Sequence, residues 1–161
     1  MFSASEIFDL AVQIEENGEQ FYRKALVRLS DQSLREMLLW VANEEAAHRD
    51  CFLVMKQLAP GNSSNKWAEQ VSGAMLKSSL QDHLFSLDEV DLDAIPDLHA
   101  LLETALVLEQ DSVMFYEIIV SFVTEPDTVN QLKAIIAEEE KHIAALKERQ
   151  RALQEPSSAI P

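Results

Sequence analysis

The chain has 161 residues, 47% of them apolar, and carries a net charge of −15 with only 13 lysines and arginines. Such an excess of carboxylates excludes nucleic acid as a partner, because phosphate backbones are gripped by stripes of Lys and Arg. A lone cysteine, Cys51, excludes an intrachain disulfide and a thiolate metal cluster, and no stretch approaches the ~18 consecutive apolar residues of a membrane span.

The N-terminus shows no basic segment followed by an apolar run, so a soluble protein of a reducing cytoplasm is expected. The length fits one domain over residues 1–155, and with three glycines and five prolines little interrupts helices, so the fold class is all-α. Ser3-x-x-Glu6 reads as a capping box, and Ile7, Ala11, Ile14, Gly18, Phe21, Ala25 and Leu29 then follow the helical period. Ser30-Asp31 breaks the pattern and caps a second helix carrying Leu34, Leu38, Val41, Cys51, Met55 and Leu58, which Pro60-Gly61 ends. A long connection follows, about residues 60–96, with helix-like pieces around Lys66–Leu80 and Leu87–Val90. The third main helix starts near Pro96-Asp97 and runs through Leu101, Ala105, Leu108, Phe115 and Ile119. Thr124-Glu125-Pro126 turns into the fourth, which uses Val129, Leu132, Ile135, Ile136, Ile143 and Leu146; residues 156–161 read as a disordered tail. A helix of about 27 residues is roughly 40 Å long, so the central connection can travel the bundle's length and leave the second and third helices parallel.

The two halves repeat. With a shift of 94, Ala11 falls on Ala105, Glu15 on Glu109, Phe21 on Phe115, Tyr22 on Tyr116, Glu44 on Glu138, Glu45 on Glu139 and His48 on His142, without a gap. The repeated unit is a helical hairpin. Glu15 and Glu45 are equidistant from the first turn, and Glu109 and Glu139 from the second, so all four are expected at one height. Each interrupts an apolar face. An unpaired buried carboxylate costs several kcal/mol unless it protonates, whereas two divalent cations would neutralise four of them. Glu45-x-x-His48 and Glu139-x-x-His142 put an imidazole on the same face as a carboxylate. One Glu from each of two helices plus Glu-x-x-His from each of the other two is a dinuclear metal pattern, suited to iron or manganese, with zinc as another occupant.

These pieces, Glu15-x-x-Gly18-x-x-Phe21-Tyr22 with Glu45-x-x-His48, and Glu109-Gln-Asp-Ser-Val-Met-Phe115-Tyr116 with Glu139-x-x-His142, resemble the rubrerythrin-like branch of the ferritin-like superfamily over residues 5–58 and 97–150. The resemblance implies a ferritin-like four-helix bundle of two hairpins joined by a crossover, holding two iron ions. Glu15 and Glu109 would be terminal or bridging ligands, Glu45 and Glu139 would bridge, and His48 and His142 would each cap one metal. Tyr22 and Tyr116, seven residues after a ligand, resemble the family's tyrosines that hydrogen-bond a ligand carboxylate. It also implies self-association, as a dimer or larger homo-oligomer. Two departures stand out: one cysteine cannot build the paired Cys-x-x-Cys iron site of rubrerythrins proper, and Ser112 stands where the family carries an extra carboxylate.

The resemblance implies an oxidoreductase that reduces peroxide or dioxygen with electrons from an external donor. Ferroxidase activity coupled to iron storage or delivery, and a binding module stapled by metal, are the alternatives. Among the remaining residues, Glu44, Glu138 and Glu140 are expected to face outward and Glu19 to sit at a rim or serve as an auxiliary ligand. His83 and His99 are expected at the surface, Cys51 as a buried small side chain, and Trp40, Trp67 and Phe52 in packing.

Overall fold

In the computed structural model, residues 3–59, 66–77 and 90–154 are described, and they contain helices and no strand. Each long helix starts where a side chain can satisfy its free N–H groups. Ser3 opens α1 (Ala4–Leu26) with a complete capping box: its hydroxyl accepts from Glu6 N–H at 3.2 Å, and the Glu6 carboxylate accepts from Ser3 N–H at 2.7 Å. Asp31 caps α2 (Gln32–Leu58) by accepting from Leu34 N–H at 2.9 Å. Arg35 of α2 reaches back to the Leu26 and Leu29 carbonyls, so the second helix closes the open end of the first. Asp97 caps α4 (Leu98–Phe122) through Ala100 N–H at 2.8 Å, and Pro126 begins α5 (Pro126–Gln154), where its missing N–H costs nothing.

The connection contains α3 (Lys66–Lys77), which packs on α4 and buries Trp67, Ala68 and Val71. Of the piece expected around Leu87–Val90, residues 87–89 lie outside the described residues and Val90 is not helical. A single 3-10 turn, Leu92–Ala94, follows, pinned by Arg28 through the Leu92 carbonyl and Asp93. Pro60-Gly61 and the tail 156–161 also lie outside the described residues.

Two hairpins, α1–α2 and α4–α5, make up the bundle. Their relative direction follows from side-chain pairs. Tyr22 meets Glu109 while Tyr116 meets Glu15, so residue numbers rise on α1 as they fall on α4. The pairs His48–Glu138 and Glu44–His142 show the same opposition for α2 and α5. With α1 antiparallel to both α2 and α4, α2 and α4 run parallel, as a long crossover allows. Apolar side chains gather in two clusters. One is built on Ile7, Phe8, Phe52, Trp67, Ile119 and Leu132, the other on Phe21, Leu34, Leu38, Leu102, Leu106 and Leu146. Among the described residues, no helix is long and apolar enough to cross a membrane.

Candidate metal centre

Six buried polar residues lie between the hairpins. Glu15, Glu139 and His142 are fully inaccessible, and Glu45, His48 and Glu109 are at most 3% exposed. These are the six residues singled out by the repeat, and the structure brings them all together. Their donor atoms form two groups, Glu15, Glu45, His48 and Glu139, and Glu45, Glu109, Glu139 and His142, each with its atoms within 4.8 Å of one another. Glu45 and Glu139 belong to both.

Each helix delivers its polar residues to this level for a local reason. Gly18, one turn after Glu15, has no side chain, and a Cβ there would stand 3.4 Å from the Glu45 carboxylate carbon and Oε2. A methyl group would just fit beside the Glu45 carboxylate, and any longer side chain on α1 at this position would enter its space. Its counterpart Ser112 stays small and turns its hydroxyl to the Leu108 carbonyl at 2.9 Å. On α2 and α5 the three-residue spacing places imidazole and carboxylate on one face: His142 Nδ1 is 3.2 Å from Glu139 Oε2. Across the hairpins His48 Nδ1 is 3.0 Å from Glu139 Oε1 and His142 Nδ1 is 3.6 Å from Glu45, while within its own hairpin His142 Nδ1 is 3.6 Å from Glu109. Both histidines therefore turn Nδ1 toward the carboxylates.

Tyr22 and Tyr116 serve the opposite hairpin. The Tyr22 hydroxyl donates to Glu109 Oε1 and the Tyr116 hydroxyl to Glu15 Oε1, both at 2.6 Å. Burial, reinforced by the neighbouring carboxylates, raises both phenols well above their ordinary range, so they remain donors. Burial also raises the Glu45 carboxyl well above its usual range, with Glu109, Glu139 and Glu15 adding repulsion. Glu109 is pushed up to about 7, by burial first and then by Glu139. For the imidazoles burial acts downward, but hydrogen bonds and charge from the carboxylates outweigh it and hold His48 at about 12 and His142 at about 10. The cluster attracts positive charge, as protons or as metal.

The donor set fits two divalent cations. Glu15 Oε2 and Glu109 Oε2 are buried and lack a hydrogen-bond partner, which is costly for a carboxylate oxygen unless a cation takes the place. Hard oxygen donors with one imidazole per group match iron or manganese, and thiolate is absent from both groups.

Several residues outside the six depart from expectation. Glu44 and Glu138 do not simply face outward: they are half-buried, and each reaches the other hairpin's histidine, with Glu138 Oε2 and Glu44 Oε2 both 2.5 Å from the Nε2 of His48 and His142 respectively. Trp40 is more than packing, because its indole N–H donates to Glu44 Oε1 at 2.9 Å and its ring stands edge-on to His142, with centroids 5.0 Å apart. The repeat already aligned Glu44 with Glu138, a signal that both have a task, and Trp40 is one helical turn before Glu44. Glu19 is a rim residue, held by Arg23 and Arg49. Glu140 and His99 are exposed, Cys51 is half-buried with its thiol raised by burial, and His83 lies outside the described residues. Phe52 packs on Tyr116 and Trp67 on Phe8, as packing residues do.

The rubrerythrin family model matches residues 6–150, nearly the whole bundle. The chain belongs to the rubrerythrin family. The fold agrees: the crystal structure of a "putative ferritin-like diiron-carboxylate protein" from Thermotoga maritima superposes with a TM-score of 0.68, covering 93% of this chain and 95% of that one at 21% identity. No curated protein matches this rubrerythrin-family chain significantly. The buried carboxylate–histidine cluster lies within the matched residues, and its two donor groups fit a dinuclear metal site.

Proposed function

We propose that this chain is a dinuclear iron oxidoreductase that reduces peroxide or dioxygen with electrons from a separate donor. The observation that carries the reading is the sharing of Glu45 and Glu139 between two buried donor groups. A metal that only staples a fold sits in a closed tetrahedral set, usually rich in thiolate. Here two ions would share carboxylates, each with four protein residues, so an ion preferring higher coordination keeps positions for a small oxidant. Bound iron would supply the electrons and the Lewis acidity. The protein's part is to hold Glu15 and Glu109 through the Tyr116 and Tyr22 hydroxyls, to keep both Nδ1 atoms turned inward, and to wall off water with the two apolar clusters. These 161 residues hold one cysteine and cannot build a four-thiolate iron site among themselves, which favours a separate electron carrier as donor.

The test is anaerobic loading with ferrous iron, followed by peroxide or dioxygen in the presence of a reduced one-electron carrier. About two irons per chain, rapid oxidation and sustained consumption of the carrier are expected. Iron accumulating well beyond that ratio without carrier turnover would replace this reading with iron handling. A bound metal that stays redox-silent would replace it with a structural staple.

A further inference from the structure

The six clustered residues and the Nε2 partners of both histidines repeat across the hairpins, and one asymmetry at the outer edge bears directly on a histidine. Glu44 and Glu138 are counterparts, and each bonds Nε2 of the histidine on the opposite hairpin. Position 40, however, holds Trp40, whereas its counterpart is Ala134. Trp40 therefore holds Glu44 from outside through its indole N–H and lies edge-on against His142, and Ala134 offers Glu138 neither a donor nor a ring.

An imidazole can bind a cation through Nδ1 only if that nitrogen carries the lone pair and faces inward. A carboxylate accepting the Nε2–H fixes both the tautomer and the ring orientation. Glu44 and Glu138 stand in that place, but their side chains are 30% and 44% exposed, so each has rotamer freedom to lose. Trp40 removes some of that freedom for Glu44 alone. We infer that Glu44 and Glu138 are positioning residues for His142 and His48, and that Trp40 makes the His142 half of the site the better preorganised, so that it takes the first of two cations.

This inference rests on the dinuclear metal reading, and the experiment separates the two. Metal-free full-length protein is titrated with zinc by calorimetry, and the imidazole Nε2–H resonances of the zinc-loaded protein are followed by NMR. Wild-type chain is expected to bind two ions in unequal steps. Glu44→Ala weakens the tighter step about 10- to 100-fold and Glu138→Ala the looser one. Trp40→Phe keeps the ring but loses the N–H; it weakens the tighter step by a smaller factor, and has no further effect in the Glu44→Ala background. Glu44→Gln retains an oxygen that accepts the Nε2–H, so it keeps the His142 resonance and recovers part of the affinity. This near-isosteric change on a half-exposed residue also serves if the alanine variant folds poorly. Two equal steps in wild type, a Trp40→Phe effect that persists without Glu44, or Glu44 variants indistinguishable from wild type would overturn the inference alone. A wild-type chain that takes up no zinc overturns the metal reading and the inference with it.

Discussion

A buried phenol whose pKa is driven upward keeps its proton and donates a hydrogen bond to a facing carboxylate, and this decides how Tyr22 and Tyr116 act. Each fixes one oxygen of a carboxylate on the facing hairpin and leaves the other without a hydrogen bond. Tyr22→Phe or Tyr116→Phe should cost about 1–3 kcal/mol in the metal-free chain, because a buried acceptor loses its partner. Urea denaturation measures this, and a cost under about 0.5 kcal/mol for both would show that the hydroxyls hold nothing. The titrating groups add a pH effect whose sign is fixed. Glu45, Glu109, His48 and His142 all have raised values, so the folded metal-free chain binds more protons than the unfolded one. Their stabilisation is present at low pH and is lost as pH rises. Glu109 loses it between 4.5 and about 7, His142 between 6.5 and about 10, and His48 up to about 12. The urea midpoint of metal-free protein is therefore expected to fall from about pH 5 to about pH 9. Metal loading near neutral pH should release protons, visible with an indicator in weak buffer. A metal-free profile that rises over this range, or loading without proton release, would contradict the assignment.

Among the helices, the closest constraint on the site is the approach of α1 to α2 at Gly18. A Cβ at 3.4 Å from Glu45 makes ordinary contact, while glycine within a helix costs about 1 kcal/mol relative to alanine. Gly18→Ala should accordingly be neutral to mildly stabilising and keep zinc affinity. Gly18→Leu should displace the Glu45 carboxylate and lose at least one bound ion by calorimetry; equal zinc binding by both variants would remove Gly18 from the site's design. The helices and the six clustered residues were legible because they leave short-range signals: Ser3, Asp31 and Asp97 as caps, and Glu-x-x-His recurring at one spacing. What was missed depends on distance. The bonds of Glu44 and Glu138 run to the opposite hairpin, so the rotation of α2 against α5 decides them, and that rotation is written in no local pattern. The Leu92–Ala94 turn is three residues long, too short to show a period, and its anchor Arg28 is far away in sequence.

For the molecule as a whole, the polar layer between two apolar clusters makes stability conditional on what fills it. Desolvated carboxylates that repel one another oppose hydrophobic burial at the level where the hairpins meet, and a bound cation relieves them. Cations that bind only the folded state should add about 4 kcal/mol at a free concentration a thousandfold above Kd. A chelator-stripped sample should thus melt at a lower temperature than one with iron or zinc restored, as read by calorimetry. Unchanged melting would mean that the layer is satisfied without metal. The exchange of contacts between hairpins has a further consequence. Tyr22–Glu109 and Tyr116–Glu15 are one contact seen from two sides, so the chain is in effect an isologous dimer closed into a single polypeptide. Each hairpin then presents the surface that a copy of itself would require. Residues 97–154 alone are expected to pair and bind about two zinc ions per pair, checked by sedimentation with and without zinc. If that hairpin stays monomeric, the differences between the halves, Trp40 foremost, have made the partnership obligatory.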